Sequence, residues 1–114
     1  MSDHFYHEND LKLLRNMKEL APTEFQAWAT LDGIVGRDDG KIPRKYRELI
    51  AIAVAHTTQC PYCIEVHTKK AKKAGASKEE IAEAVAEAVL LAAAIRSSGA
   101  AAHGTLAMKF YDQA

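Results

Sequence analysis

Cys60-Pro61-Tyr62-Cys63-Ile64-Glu65-Val66-His67 gathers the chemistry of this 114-residue chain into eight positions. Cys60 and Cys63 are its only cysteines, and a histidine follows four residues after the second. Residues three and four apart share a helix face, so Cys60, Cys63 and His67 are predicted to form one stripe. Cys60 suits an N-cap and Pro61 the first helical position, where a missing N–H costs nothing. A thiol at a helix N-terminus sits in the positive end of the dipole and ionises more readily. A thiolate, a second thiol and an imidazole together equip a chain for reversible thiol–disulfide or peroxide chemistry. By the dipole alone, Cys60 is the more acidic thiol, while His67 lies one turn from Cys63 and could take its proton.

Glu48 precedes Cys60 by twelve residues, roughly 18 Å along one continuous helix. If the chain reverses near Gln59, two antiparallel helices bring Glu48 to within about one turn of His67. A carboxylate there would orient the ring and make it a better base toward Cys63. The simpler reading of the residues alone pairs Glu48 with Arg44, Lys45 or a lysine of the following helix. Zinc is the rival use of the cysteines, with His56 or His103 as a further ligand to Cys60, Cys63 and His67. A structural zinc usually needs four ligands, and there is no second C-x-x-C or H-x3-5-H. His4 and His7 lie in a polar terminus expected to fray.

These groups need helices to place them, and nearly every segment reads as one. Asn9 to Leu20 has helical spacing up to Ala21-Pro22. Thr23-x-x-Gln26 resembles a capping box opening a second helix that weakens at Gly33 and Gly36. Arg37 to Lys41 is a polar turn. Pro43 suits the first turn of a third helix, which runs out through Thr57-Thr58-Gln59 into the cysteine helix. That helix is predicted to stop at Gly75, with Lys69, Lys70, Lys72 and Lys73 near its negative end. Ser77-x-x-Glu80 is a clear capping box for a fifth helix with Ile81, Val85, Ala88, Val89 and Ala92 inward. Ser97-Ser98-Gly99 reads as a kink or break before a last helix from about Ala100 toward Phe110. No segment alternates like a strand and the pair lies between two helices, which speaks against the thioredoxin fold that a C-x-x-C near a βαβ pattern would suggest. The expectation is one all-α domain over residues 1–114, compact, with about six helices and the cysteine pair at a helix N-terminus.

Composition narrows the function classes. The chain is formally neutral and 48% hydrophobic, with a sequence pI near 7.0. That balance gives no footprint for nucleic acid or an anionic membrane surface. The start has no apolar core of a signal peptide. The longest strongly apolar run, Ala88 to Ile95, is far short of the ~20 residues that span a bilayer. A cytoplasmic location is expected, where a close cysteine pair is catalytic or metal-binding more often than a structural staple. Ala82 to Ala102 keeps no wide polar face. Such a helix is buried either in the chain's own core or against another subunit.

The pattern Glu48-x11-Cys60-x-x-Cys63-x3-His67, followed by Lys72-Lys73-Ala74-Gly75-Ala76-Ser77-x-x-Glu80-Ile81, resembles the alkylhydroperoxidase D-like, or carboxymuconolactone decarboxylase, superfamily. The likeness runs from about Tyr46 to Ala102. It implies an all-helical fold assembled as homotrimers or homohexamers. For the peroxidase branch it implies that Cys63 is the peroxidatic thiolate and Cys60 the resolving thiol. Glu48 and His67 would form the proton relay, and a dithiol reductant or adaptor protein would reduce the disulfide. The implied substrate is a hydroperoxide or other small molecule, with no bound cofactor and no metal. The decarboxylase branch generally lacks the cysteine pair, and Tyr62 stands where some of the peroxidases carry a histidine. The alternatives are a carboxymuconolactone decarboxylase-like enzyme, or a non-catalytic zinc-binding or scaffold protein.

Overall fold

The computed structural model describes residues 7–114, so the readings of His4 and of the polar start lie outside the described residues. After a 3₁₀ helix at Glu8–Leu13, five α-helices follow. They are α1 (Leu14–Leu20), α2 (Pro22–Val35), α3 (Arg44–Thr58), α4 (Pro61–Lys73) and α5 (Lys78–Gln113), and no strand occurs among the described residues. The all-α expectation holds. Three boundaries differ from it. The first helical stretch is split, its opening turns wound as 3₁₀. α2 starts one residue before the expected box at Thr23: Pro22 takes the first helical position and Ala21 caps without a side-chain bond. Pro43 caps α3 from outside, with extended ψ 150°.

The turn between α3 and α4 positions the site. Gln59 adopts the left-handed region at φ 56°, and the N–H groups of Gln59 and Cys60 both return to the carbonyl of Ala55. The chain thereby reverses, and α4 lies back along α3. The far end of α4 closes as the lysine-glycine pattern predicts. Gly75 has φ 97°, its N–H bonds to Lys72, and Ala76 N–H reaches back to Ala71. This is a Schellman cap, and its accompanying apolar contact is the packing of Ala71 and Ala76 in the core. With Ile52 they form the buried cluster, which Leu49, Ile81 and Val85 cover. Ser77 then starts α5 through the expected reciprocal box with Glu80, at 3.0 and 2.9 Å.

α5 does not break. It runs 36 residues through Ser97-Ser98-Gly99. The Ser97 hydroxyl donates to the carbonyl of Ala94 at 2.9 Å, a bond made within the helix. An interior glycine weakens a helix by only about 1 kcal/mol, and no proline follows to force a stop. The helix therefore reaches well past the body of the fold. Every residue from Ala100 to Ala114 is exposed. The radius of gyration is 18.9 Å, against about 13 Å for a compact chain of this length. The chain is thus a packed hairpin carrying a long projecting helix. The apolar run is also longer than Ala88 to Ile95, because Arg96 is the only Asp, Glu, Lys or Arg between Ala88 and Met108. By length and composition alone, α5 is sufficient to cross a bilayer.

Candidate active site

The sulfurs sit where the turn delivers them. Cys60 is the N-cap of α4, and its Sγ accepts the Cys63 N–H at 3.3 Å. Pro61 occupies the first turn, as its fixed φ favours. Cys60 and Cys63 are joined as a disulfide, with Cα atoms 5.3 Å apart, inside the span such a bond normally covers. One turn on, His67 is half-buried beneath the pair.

The α3–α4 hairpin places Glu48 on His67. Glu48 has 0% of its surface exposed and lies within the core side of α3. Its Oε2 is 2.6 Å from His67 Nδ1. An ionised carboxylate only accepts, so Nδ1 carries the hydrogen, and in the neutral ring Nε2 is the accepting nitrogen. The other oxygen, Oε1, accepts from Arg44 Nε at 2.8 Å. The two readings of Glu48 are therefore both realised, one on each oxygen. The Arg44 NH1 donates to the Gly36 carbonyl at 2.6 Å and to Asp38 at 3.0 Å. The hydrogen bond to Glu48, with Asp38 adding to it, holds the Arg44 guanidinium above its ordinary range. Sequence reasoning treated Arg44 only as a surface partner. Its i,i+4 spacing to Glu48 was visible, but its grip on the end of α2 was not.

Cys63 and His67 open onto a pocket of about 520 Å³, a size suited to a small organic molecule. Its walls are Leu31, Ile34 and Val35 of α2, Ile42 of the loop, and Ile50 and Val54 of α3. Arg47 also lines it, its NH1 donating to the carbonyls of Ile34 and Val35. The α2 wall went unrecognised in the sequence, although Leu31, Ile34 and Val35 carry helical spacing beyond the expected weakening at Gly33.

The remaining expected groups stand apart. The His56 Nδ1 is 2.8 Å from the Ile52 carbonyl of its own helix, and the ring lines a different cavity with Ala88 and Arg96. His103 lies exposed on the projecting part of α5. Among the described residues, no three His, Cys, Asp or Glu side chains are gathered as a metal-binding set. Lys45 pairs with Glu80 at 2.8 Å, joining the starts of α3 and α5 away from the cysteines. The bond to Glu80 holds Lys45 above its usual range, and the bond to Lys45 holds Glu80 below the usual carboxylate range.

The hairpin, the cysteine spacing and the glutamate–histidine contact can be set beside known proteins. Residues 22–105 match the model of the carboxymuconolactone decarboxylase family. "Uncharacterized protein 4 in cox locus" of Paracoccus denitrificans is 44% identical over 75 residues, covering 66% of this chain and 64% of that protein. "Uncharacterized protein H16_B0147" of Cupriavidus necator is 31% identical over 74 residues, covering 63% and 66%. The chain thus spans about two thirds of the length of these relatives. Apo-lpg0406, a carboxymuconolactone decarboxylase family protein from Legionella pneumophila, superposes with a TM-score of 0.65 at 30% identity, covering 74% of both chains. The match takes in α2 to α4 whole and most of α5, which is the entire frame of the site, and the chain belongs to the carboxymuconolactone decarboxylase family.

Proposed function

We propose that this chain is a thiol-dependent peroxidase that reduces organic hydroperoxides through a Cys60–Cys63 dithiol/disulfide cycle. The observation that carries the reading is a disulfide at a helix N-terminus sharing one apolar pocket with a histidine held by a buried glutamate. In the cycle, His67 takes the proton of Cys63. The thiolate attacks the outer peroxide oxygen, an S–O bond forms, and the O–O bond breaks. The alkoxide leaves as the alcohol with the proton that His67 returns. Cys60 then attacks the Cys63 sulfenic acid, forming the disulfide and releasing water. An external dithiol, free or on an adaptor protein, reduces the pair by exchange. Such a cycle belongs in a reducing compartment, consistent with a cytoplasmic location.

The apolar walls favour a hydroperoxide with a carbon body, because burial of each CH₂ group contributes about 0.8 kcal/mol. A family that takes its name from lactone decarboxylation also supports a decarboxylase reading, which needs neither cysteine. Hydroperoxide consumption with a dithiol reductant separates the two. The peroxidase reading expects turnover in the wild type and none in Cys63→Ser. No consumption by the wild type, or equal consumption by both, overturns it. Stoichiometric zinc in purified protein would favour the metal-binding alternative instead.

The same reading includes a homo-oligomer of three or six subunits. Support comes from α5, where Val89, Leu90, Leu91, Ile95, Met108 and Phe110 are all exposed. Soluble chains rarely leave so long an apolar face in water, and a second copy of the same helix is a self-complementary cover for it. Light scattering on a size-exclusion column at micromolar concentration tests this, and a stable, fully active monomer refutes it.

A further inference from the structure

We infer that Arg44 is a positioning residue of the site: by taking one oxygen of Glu48 and anchoring to the end of α2, it fixes the other oxygen on His67. Cys63 enters this role only through the peroxidase reading, as the group His67 serves.

Glu48 is wholly buried and has two oxygens to satisfy. A carboxylate on a helix can rotate about its last bond and exchange them. Here each oxygen has a donor from a different element, Arg44 of α3 and His67 of α4. An i,i+4 arginine–glutamate pair on an open helix face would not restrain that rotation, because such pairs are individually weak. Arg44 differs in being tied at its other end. Its NH1 lies 2.6 Å from the Gly36 carbonyl, the residue that caps α2. The guanidinium is planar and rigid, so fixing NH1 on backbone also fixes the direction of Nε. One chain of donors and acceptors then runs from Gly36 through Arg44 and Glu48 to His67. It couples the end of α2, a pocket wall, to the orientation of the imidazole.

The charges agree with this role. Arg44, itself partly exposed, neutralises the buried Glu48. Asp38, on the outer side of Arg44, is 84% exposed and screened by water. Among the described residues, Arg47 of α3 and Cys63 of α4 line the pocket with His67. From α5 comes Glu80, already paired with Lys45. Without Arg44, the buried carboxylate keeps, among the described residues, its bond to His67. The site then carries an extra negative charge, and every acid near it, Cys63 included, becomes harder to ionise.

The test is the pH dependence of Cys63 alkylation by iodoacetamide, followed by mass spectrometry in the reduced Cys60→Ser background. In Arg44→Gln the midpoint should move up by about one pH unit, a roughly tenfold slower reaction below it. Arg44→Lys restores the charge but not the fork, so its midpoint should return to the parent value while the His67 Nδ1 hydrogen, less firmly held, exchanges with water several-fold faster in proton spectra. Arg37→Gln removes a cation from the loop before α3 and should move neither. An unchanged midpoint and exchange rate in Arg44→Gln, with only a lower melting temperature, would overturn the role. If Arg44→Gln does not fold, Arg44→Lys decides: a parental exchange rate overturns it. Nitrogen-15 spectra of the folded wild type add a check, since a His67 hydrogen on Nε2 instead of Nδ1 would also overturn it. None of these readouts uses peroxide, so failure of the peroxidase reading would be seen separately.

Discussion

Glu48→Gln keeps the shape of the buried side chain and changes only its charge and one acceptor. Arg44 can only donate, so the amide oxygen must turn to it. The amide NH₂ then faces His67 Nδ1, where Glu48 Oε2 stood at 2.6 Å. That nitrogen must become the acceptor, and the ring hydrogen moves to Nε2. The imidazole loses the lone pair it would use on Cys63. Positioned acid–base catalysis is worth about 10²–10⁴ in rate, so first-turnover reaction of reduced protein with hydroperoxide should slow at least about a hundredfold. Charge-assisted hydrogen bonds contribute about 1.5–3 kcal/mol each, and removing one partner of a buried pair costs more than the bond alone. Arg44 is 28% exposed and keeps Gly36 and Asp38, which softens the loss. A net destabilisation of about 2–3 kcal/mol follows. Stopped-flow mixing with hydroperoxide and thermal melting read the two effects. A folded Glu48→Gln protein whose first turnover stays within about threefold of wild type would refute the tautomer reasoning.

Gly75→Ala places a Cβ at φ 97° and should lower stability by about 1–2 kcal/mol by thermal melting, although nothing stands within 4 Å to clash with it. Lys45→Met removes the Glu80 pair. Because Glu80 lies below its usual 4.5, the wild-type advantage should be complete above that pH and vanish as pH falls through the lowered folded value. At the other end, Lys45 is raised above 10.5, so the advantage persists up to that pH and fades as pH rises through the higher folded value. Melting temperatures of both proteins across that range, at low salt, check the window. On α5, Leu91→Glu puts a charge on the exposed apolar face and should shift the light-scattering mass toward the monomer.

What the sequence disclosed was local chemistry with a fixed geometric consequence. Cys60 caps, Gly75 turns left-handed and Ser77 boxes with Glu80 because those residue types have few other uses at those spacings. The meeting of Glu48 and His67 depended on a reversal near Gln59 that the sequence offered only as a condition and the fold supplies. The reversal itself had no residue signature, since glutamine rarely marks a left-handed turn. Competing local signals were harder to rank. Pro22 won over the Thr23 box, and Ser97-Ser98-Gly99 lost to a helix that nothing forced to end. Arg44 was read as one half of a surface pair because its second partner is a backbone carbonyl eight residues back, and side-chain patterns do not reveal such acceptors. The pocket needs α2 folded across α3, a tertiary placement that periodicity alone does not specify.

The central claim is that Cys63, in the pocket with His67, attacks the peroxide first. Reduced Cys60→Ser protein should be treated with one equivalent of an organic hydroperoxide and dimedone, then digested and sequenced by mass spectrometry. The account predicts one alcohol released per chain and a dimedone adduct on Cys63. No hydroperoxide consumed and no adduct there, with sulfenic acid found instead on Cys60 of a turning-over Cys63→Ser protein, would contradict it.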